Sequence, residues 1–144
     1  MGLALRLAKK AWQRNEVPVG AVVVSAEGMV IGRGWNQSLT RCDPSAHAEI
    51  VALRKAAKMV GNYRLAGTSL YATIEPCPMC MGAIVQARVA RLIFGAADPK
   101  WGAAGTLYNL ARDGRLNHQV EVIPGICEEA CRHLIQDFFR QRRG

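Results

Sequence analysis

His47-Ala48-Glu49, followed further along by Pro76-Cys77-Pro78-Met79-Cys80, is the pairing on which the fold turns. One neutral imidazole and two thiolates make a three-ligand zinc set, and three protein ligands leave the fourth tetrahedral position for water. An open position serves chemistry rather than scaffolding. On a helix, side chains two apart diverge by roughly 200°, whereas those three apart share a face. Cys77 and Cys80 therefore clamp from the start of one helix, with Pro78 tolerated in its first turn. His47 and Glu49 converge only on a point beyond the N-terminus of theirs. The metal is thus expected between two helix N-termini, each fed by a strand or loop. Such ends favour negative charge and depress thiol pKa values, which suits two thiolates.

Outward from these segments the chain alternates helices and strands. Leu3 to Asn15 sets Leu5, Ala8 and Trp12 on one face of an amphipathic helix. Val17-Pro18-Val19-Gly20 breaks it, and Ala21 to Val24 with Met29 to Gly34 form a hairpin about Ala26-Glu27-Gly28. Asp43-Pro44-Ser45 precede a helix over about Ala46 to Val60, with Ile50, Leu53 and Ala57 inward. Leu70 to Ile74 is a strand that delivers Glu75-Pro76-Cys77. The helix from Pro78 to Ala87 is apolar over much of its circumference, so it is deeply buried or packed against another subunit. Arg91 to Gly95 is the next strand, Gly102-Ala103-Ala104-Gly105 a flexible connector, and Thr106 to Arg112 a short helix. Val120 to Ile123 is the last strand and Cys127 to Arg143 the last helix. This order implies α/β layers, with helices on the faces of a central sheet, in one domain spanning residues 1–144.

The 144 residues include 19 Lys and Arg against 11 Asp and Glu, a formal charge of +8. That balance favours a polyanionic partner, with plain solubility as the alternative. No stretch approaches the ~18 apolar residues of a membrane span, and Arg6 interrupts the only apolar run near the start. A cytoplasmic protein with no membrane partner is the expectation. Five cysteines suggest no disulfide framework. Cys127 and Cys131 fall in a stripe with Ala130, Leu134, Ile135 and Phe138, and read as small core residues rather than a second metal site. Cys42 is either a spectator or an oxidation-sensitive thiol. His118 and His133 read as surface or helix residues, not ligands.

The spacing H-x-E…P-C-x-x-C is the signature of zinc nucleobase deaminases. In that chemistry a water attacks the ring carbon bearing the exocyclic amine. Glu49 takes the water's proton, delivers it to a ring nitrogen and then protonates the departing ammonia, so it must not be a zinc ligand. A purely structural zinc site would have no use for that carboxylate.

Around these motifs the chain resembles the bacterial tRNA-specific adenosine deaminases of the cytidine deaminase-like superfamily. The likeness runs through Glu16-Val17-Pro18-Val19-Gly20-Ala21-Val22, Gly34-Trp35-Asn36, Asn62-Tyr63-Arg64-Leu65, Phe94-Gly95-Ala96, Gly102-Ala103-Ala104-Gly105 and Asp137-Phe138-Phe139-Arg140. It implies a three-layer fold with a five-stranded mixed sheet flanked by helices, a homodimer, and one Zn2+ per subunit. The implied reaction converts adenosine to inosine at the wobble position of a tRNA anticodon stem-loop, chiefly that of an arginine tRNA. It assigns His47, Cys77 and Cys80 to zinc and Glu49 to proton transfer. Asn36 matches the asparagine that hydrogen-bonds the flipped base. Ala48, Asp98 and Phe139 match further substrate-binding positions. Three departures are visible: the chain begins a few residues into the usual first helix, Ile74 replaces a commoner leucine, and Trp101 stands where a small polar residue is usual.

Two rivals follow from the same residues. A free-purine deaminase such as a guanine deaminase shares the zinc motif, but it needs neither +8 nor the basic tail Arg140, Arg142 and Arg143. Only an RNA-bound reaction weakens steeply with salt. A non-catalytic RNA-binding subunit is the other, and the presence of Glu49 counts against it. The Phe138-Phe139 pair beside the arginines suits base stacking and phosphate contact, or alternatively core packing with a solvated tail.

Overall fold

The computed structural model describes residues 1–143. Helix α1 (Gly2–Gln13) leads into strands β1 (Gly20–Val24) and β2 (Val30–Trp35), then α2 (Ala48–Val60), β3 (Ser69–Ile74) and α3 (Pro78–Gln86). Strands β4 (Arg91–Ala96) and β5 (Glu121–Ile123) precede the closing helix α4 (Glu128–Arg143). The sheet order is β2-β1-β3-β4-β5. β1 runs antiparallel to both β2 and β3, while β3, β4 and β5 are mutually parallel, so the five-stranded sheet is mixed.

Strand alternation assigns the layers. Ala21 and Val23 join Met81, Ile84, Leu92 and Phe94 in the main core, on the side that α2 and α3 cover. Val22 points the other way, into a smaller cluster with Ala4 and Leu7 of α1. Gly95, adjacent to Phe94, lies against Cys131 of α4. Helices α1 and α4 therefore share one face and α2 and α3 the other, which makes three layers. Gly32 and Gly34 let α2 lie directly on the edge strand. A Cβ at Gly34 would stand 2.3 Å from the Ala48 carbonyl oxygen, and one at Gly32 2.3 Å from that of Ala52.

Several expectations shift. α2 begins at Ala48, because His47 is its extended N-cap (φ −72°, ψ 155°), and Ala56 rather than Ala57 is its fully buried inner residue. On α1 the buried face is Ala4, Leu7, Ala8 and Ala11, with Trp12 only half covered. Cys127 is not a core residue: it is exposed, in the left-handed region (φ 55°), ahead of a helix that starts at Glu128. Ala130 is exposed with it, so only the later half of that stripe packs inward.

The segment after β4 departs most. Thr106 to Arg112 is no helix but a chain of turns with an isolated bridge between Ala104 and Asn109. Gly102 to Gly105 is not a flexible connector, since Ala103 and Ala104 are buried. The Gly102 carbonyl accepts the N–H groups of both Leu107 and Tyr108 (2.9 and 3.1 Å), which bends the chain where a helix would have to start.

Candidate metal centre and its cavity

The sharp ends of two helices meet here. His47 caps α2 and Cys77 caps α3 in the same extended conformation (φ −74°, ψ 172°), with Pro78 opening the helix. The first turn of α3 then swings Cys80 back beside Cys77. The His47, Cys77 and Cys80 ligand atoms all lie within 4.8 Å of one another, and among the described residues they are the one such His/Cys/Asp/Glu group. His47 Nδ1 stands 3.6 Å from each sulfur. Around a tetrahedral zinc with usual bond lengths, a nitrogen and a sulfur ligand stand about 3.6 Å apart. The donor set therefore fits zinc, with His47 presenting Nδ1.

The electrostatics of the three groups are linked. Contact with the Cys80 thiol, followed by that with His47, drops the Cys77 thiol to about 4. The same contact and burial push Cys80 upward. His47 is raised, first by its contact with the Cys77 sulfur. A thiolate already stabilised between two helix N-termini is a ready cation ligand. Glu49, in the first turn of α2, is buried, and burial is the chief cause that raises its carboxyl to about 7.

His47, Glu49 and Cys77 line a cavity of about 1220 Å³, with Asn36, Glu75, Asp98, Trp101 and Phe139 also in its wall, while Cys80 is fully buried behind it. A family model for the cytidine and deoxycytidylate deaminase zinc-binding region matches residues 1–96. The tRNA-specific adenosine deaminase of Haemophilus influenzae is 49% identical over 143 residues, covering 99% of this chain and 83% of the relative. The chain belongs to the tRNA-specific adenosine deaminase family. The Bacillus subtilis tRNA-specific adenosine deaminase is 48% identical, covering 97% of this chain and 86% of that protein. A solved structure from work on A-to-I editing by tRNA:A34 deaminases at the wobble position superposes with a TM-score of 0.90 at 42% identity. It covers 93% of this chain and 96% of the other.

Within this member of the tRNA-specific adenosine deaminase family, most of the residues singled out in the sequence face one cavity. Asn36 does so with its amide oxygen already committed, since it accepts the Ala48 N–H at 2.8 Å and so caps α2. Its NH2 group is the part left to offer. Ala48 is fully buried, with its N–H spent on Asn36, and it stands outside the cavity wall. The two phenylalanines separate: Phe138 is core, edge-on to Trp12 at 5.4 Å, while Phe139 is 43% exposed on the cavity rim. The arginines separate as well. Arg142 lies over the Phe138 ring at 4.4 Å and donates to the Asn15 carbonyl (2.7 Å), which docks α4 on the end of α1. Arg132, Arg140 and Arg143 line the cavity instead.

The role of one residue escaped the sequence reading. Glu75 is 2% exposed and accepts the N–H groups of Asp98 (3.1 Å), Ala104 (2.9 Å) and Thr106 (3.1 Å), as well as the Thr106 hydroxyl. A Cβ on Gly102 would stand 2.4 Å from its Oε1. Glu75 thus pins the 98–106 loop against the segment that carries Cys77 and Cys80. The available signal was a carboxylate closing a strand otherwise bound for the core, which demands buried donors.

Proposed function

We propose that this chain catalyses hydrolytic deamination of adenosine to inosine at the wobble position of a tRNA anticodon, chiefly that of an arginine tRNA. The observation that carries the reading is a buried glutamate beside a His-Cys-Cys set, at the wall of a wide cavity rimmed by cations and aromatics. Family membership supports the substrate class. His47, Cys77 and Cys80 would hold one zinc, which when bound would supply Lewis acidity, bringing a water's pKa towards ~7. Glu49 takes the proton of the attacking water and passes it to the purine ring nitrogen. It then protonates the leaving amine, so that water and adenosine give inosine and ammonia. The Asn36 NH2 group donates to the flipped base, and Phe139 and Asp98 border the anticodon nucleotides. Residues 1–144 act as one deaminase domain, working where tRNA is found, in the cytoplasm. No helix among the described residues is long and apolar enough to cross a membrane.

We also read the active form as a homodimer. α3 buries Cys80, Met81, Ile84 and Val85 but leaves Met79 40% exposed, with open space beside Gly82. An apolar helix with one uncovered face suits a second copy. Gly82→Glu is expected to leave a folded monomer in light scattering, where the wild type runs as a dimer. A monomeric wild type would remove the claim.

The deciding test is inosine formation by zinc-replete protein on an arginine anticodon stem-loop, with free adenosine, guanine and cytidine in parallel. Inosine at the wobble base alone is the expected result. Turnover of a free base with none on RNA would move the protein to purine salvage chemistry.

A further inference from the structure

We propose, resting on the RNA-deaminase reading above, that Trp101 is a stacking platform for the nucleobase adjacent to the target adenosine. Tryptophan is among the most buried side chains on average. Trp12 and Trp35 follow that rule and are half-buried against neighbouring side chains, whereas Trp101 is 61% exposed on the cavity rim.

Its backbone is nevertheless held. The Trp101 and Lys100 N–H groups donate to Asp98 Oδ1 (3.2 and 2.9 Å), and the Gly102 N–H donates to the Asp98 carbonyl (2.9 Å). Asp98 donates in turn to the buried Glu75. An indole mounted on so fixed a loop loses little freedom on binding, which is the condition under which an exposed aromatic gains affinity.

The surroundings select the occupant. Lys100 adjoins Trp101, and Arg132, Arg140 and Arg143 line the same cavity, so the rim attracts a phosphate backbone. The cavity, at about 1220 Å³, exceeds the roughly 300–1,000 Å³ of small-molecule sites. It has room for more than the flipped nucleoside. An indole face offers area and no hydrogen-bond code, so the platform accepts any neighbouring base.

The test crosses the side chain with the base it stacks. Wild type, Trp101→Ala and Trp101→Phe are assayed for inosine on an intact anticodon stem-loop and on loops made abasic at the 5′ or the 3′ neighbour of the target. Trp101→Ala is expected to lower kcat/KM on the intact loop by about 5- to 150-fold, the range for one stacked base. The loss should fall on KM, with kcat at saturation, zinc content and melting temperature kept. Trp101→Phe should restore most of it. On one of the two abasic loops, Trp101→Ala should cost nothing further. Equal kcat/KM for Trp101→Ala and wild type on the intact loop would overturn the proposal. So would losses that simply add at both abasic positions. Wild-type protein that makes no inosine on any loop would instead defeat the underlying function.

Discussion

Glu49 sits buried in the first turn of a helix, where a carboxylate can both take and return a proton. Glu49→Gln removes that exchange while leaving His47, Cys77 and Cys80 untouched. Turnover is expected to fall by at least ~10²-fold, the lower bound for a lost general acid-base group, with zinc content by elemental analysis unchanged. Surviving activity would transfer proton movement to another group. Glu16 illustrates a carboxylate with a structural task. It is buried and accepts the Leu39 and Thr40 N–H groups and the Thr40 hydroxyl (3.1, 2.7 and 2.7 Å). Burial pulls its pKa up, but these donors outweigh it and leave the pKa below the ordinary value. A lowered folded pKa gives stability that is fully present above the unfolded value, near ~4.3, and is lost as pH falls through the folded one. Glu16→Gln should therefore cost about 1–3 kcal/mol in urea denaturation at pH 7. That gap should close as the pH drops through the acid range, and a pH-independent gap would mean that the charge is irrelevant.

Among the elements, α2 is the one whose seating positions His47, a member of the candidate metal group. Its axis lies against Gly32 and Gly34, and its N-terminus carries His47 and Glu49. Gly34→Ala drives a methyl into the Ala48 carbonyl at the very turn that bears both residues. Overpacking of this kind costs about 1–3 kcal/mol, and it should also displace His47. Weaker zinc retention against a chelator should accompany the lower stability, while the same substitution at the open Gly114 should do neither. Helix α4 is anchored differently, by Phe138 between Trp12 and Arg142 and by Cys131 against Gly95. Burial pushes the Cys131 thiol up to about 11, which keeps it a packing group rather than a reactive one. That anchoring turns Phe139, Arg140 and Arg143 to the cavity.

For the molecule as a whole, the +8 charge is distributed unevenly. Lys10, Arg14 and Lys55 gather around Trp35, each within about 6 Å of its ring, while Lys100, Arg132, Arg140 and Arg143 border the cavity. Polyanion binding through such groups weakens with salt, each neutralised phosphate adding to the slope. Arg143→Ala should lower the slope of log KM for RNA against log salt by about one contact. Arg142→Ala should chiefly lower thermal stability, because that side chain holds α4 to α1. Equal slopes for wild type and Arg143→Ala would take Arg143 out of the interface.

Much of this was written locally. The Cys77-Cys80 spacing, the His47-Glu49 pair, the strand periods and the family motifs depend on neighbours within a few residues. Covalent geometry and helical periodicity determine the spacings and the strand periods, and with them the α/β layering, while the five-stranded three-layer fold was implied by the family likeness. The α4 stripe reads locally as starting at Cys127, a turn too early, and the division of labour between Phe138 and Phe139 and the fate of Arg142 were open in the sequence. They depend on Trp12 and Asn15, more than a hundred residues away. The 98–106 loop reads locally as a flexible glycine connector with a helix beyond it. It is ordered otherwise because Glu75, arriving on a neighbouring strand, takes its N–H groups. Short-range spacing could mark out His47, Cys77 and Cys80 as a group able to hold a metal. Only the tertiary structure could decide which distant donors would satisfy a buried carboxylate, and so which side chains would rim the cavity.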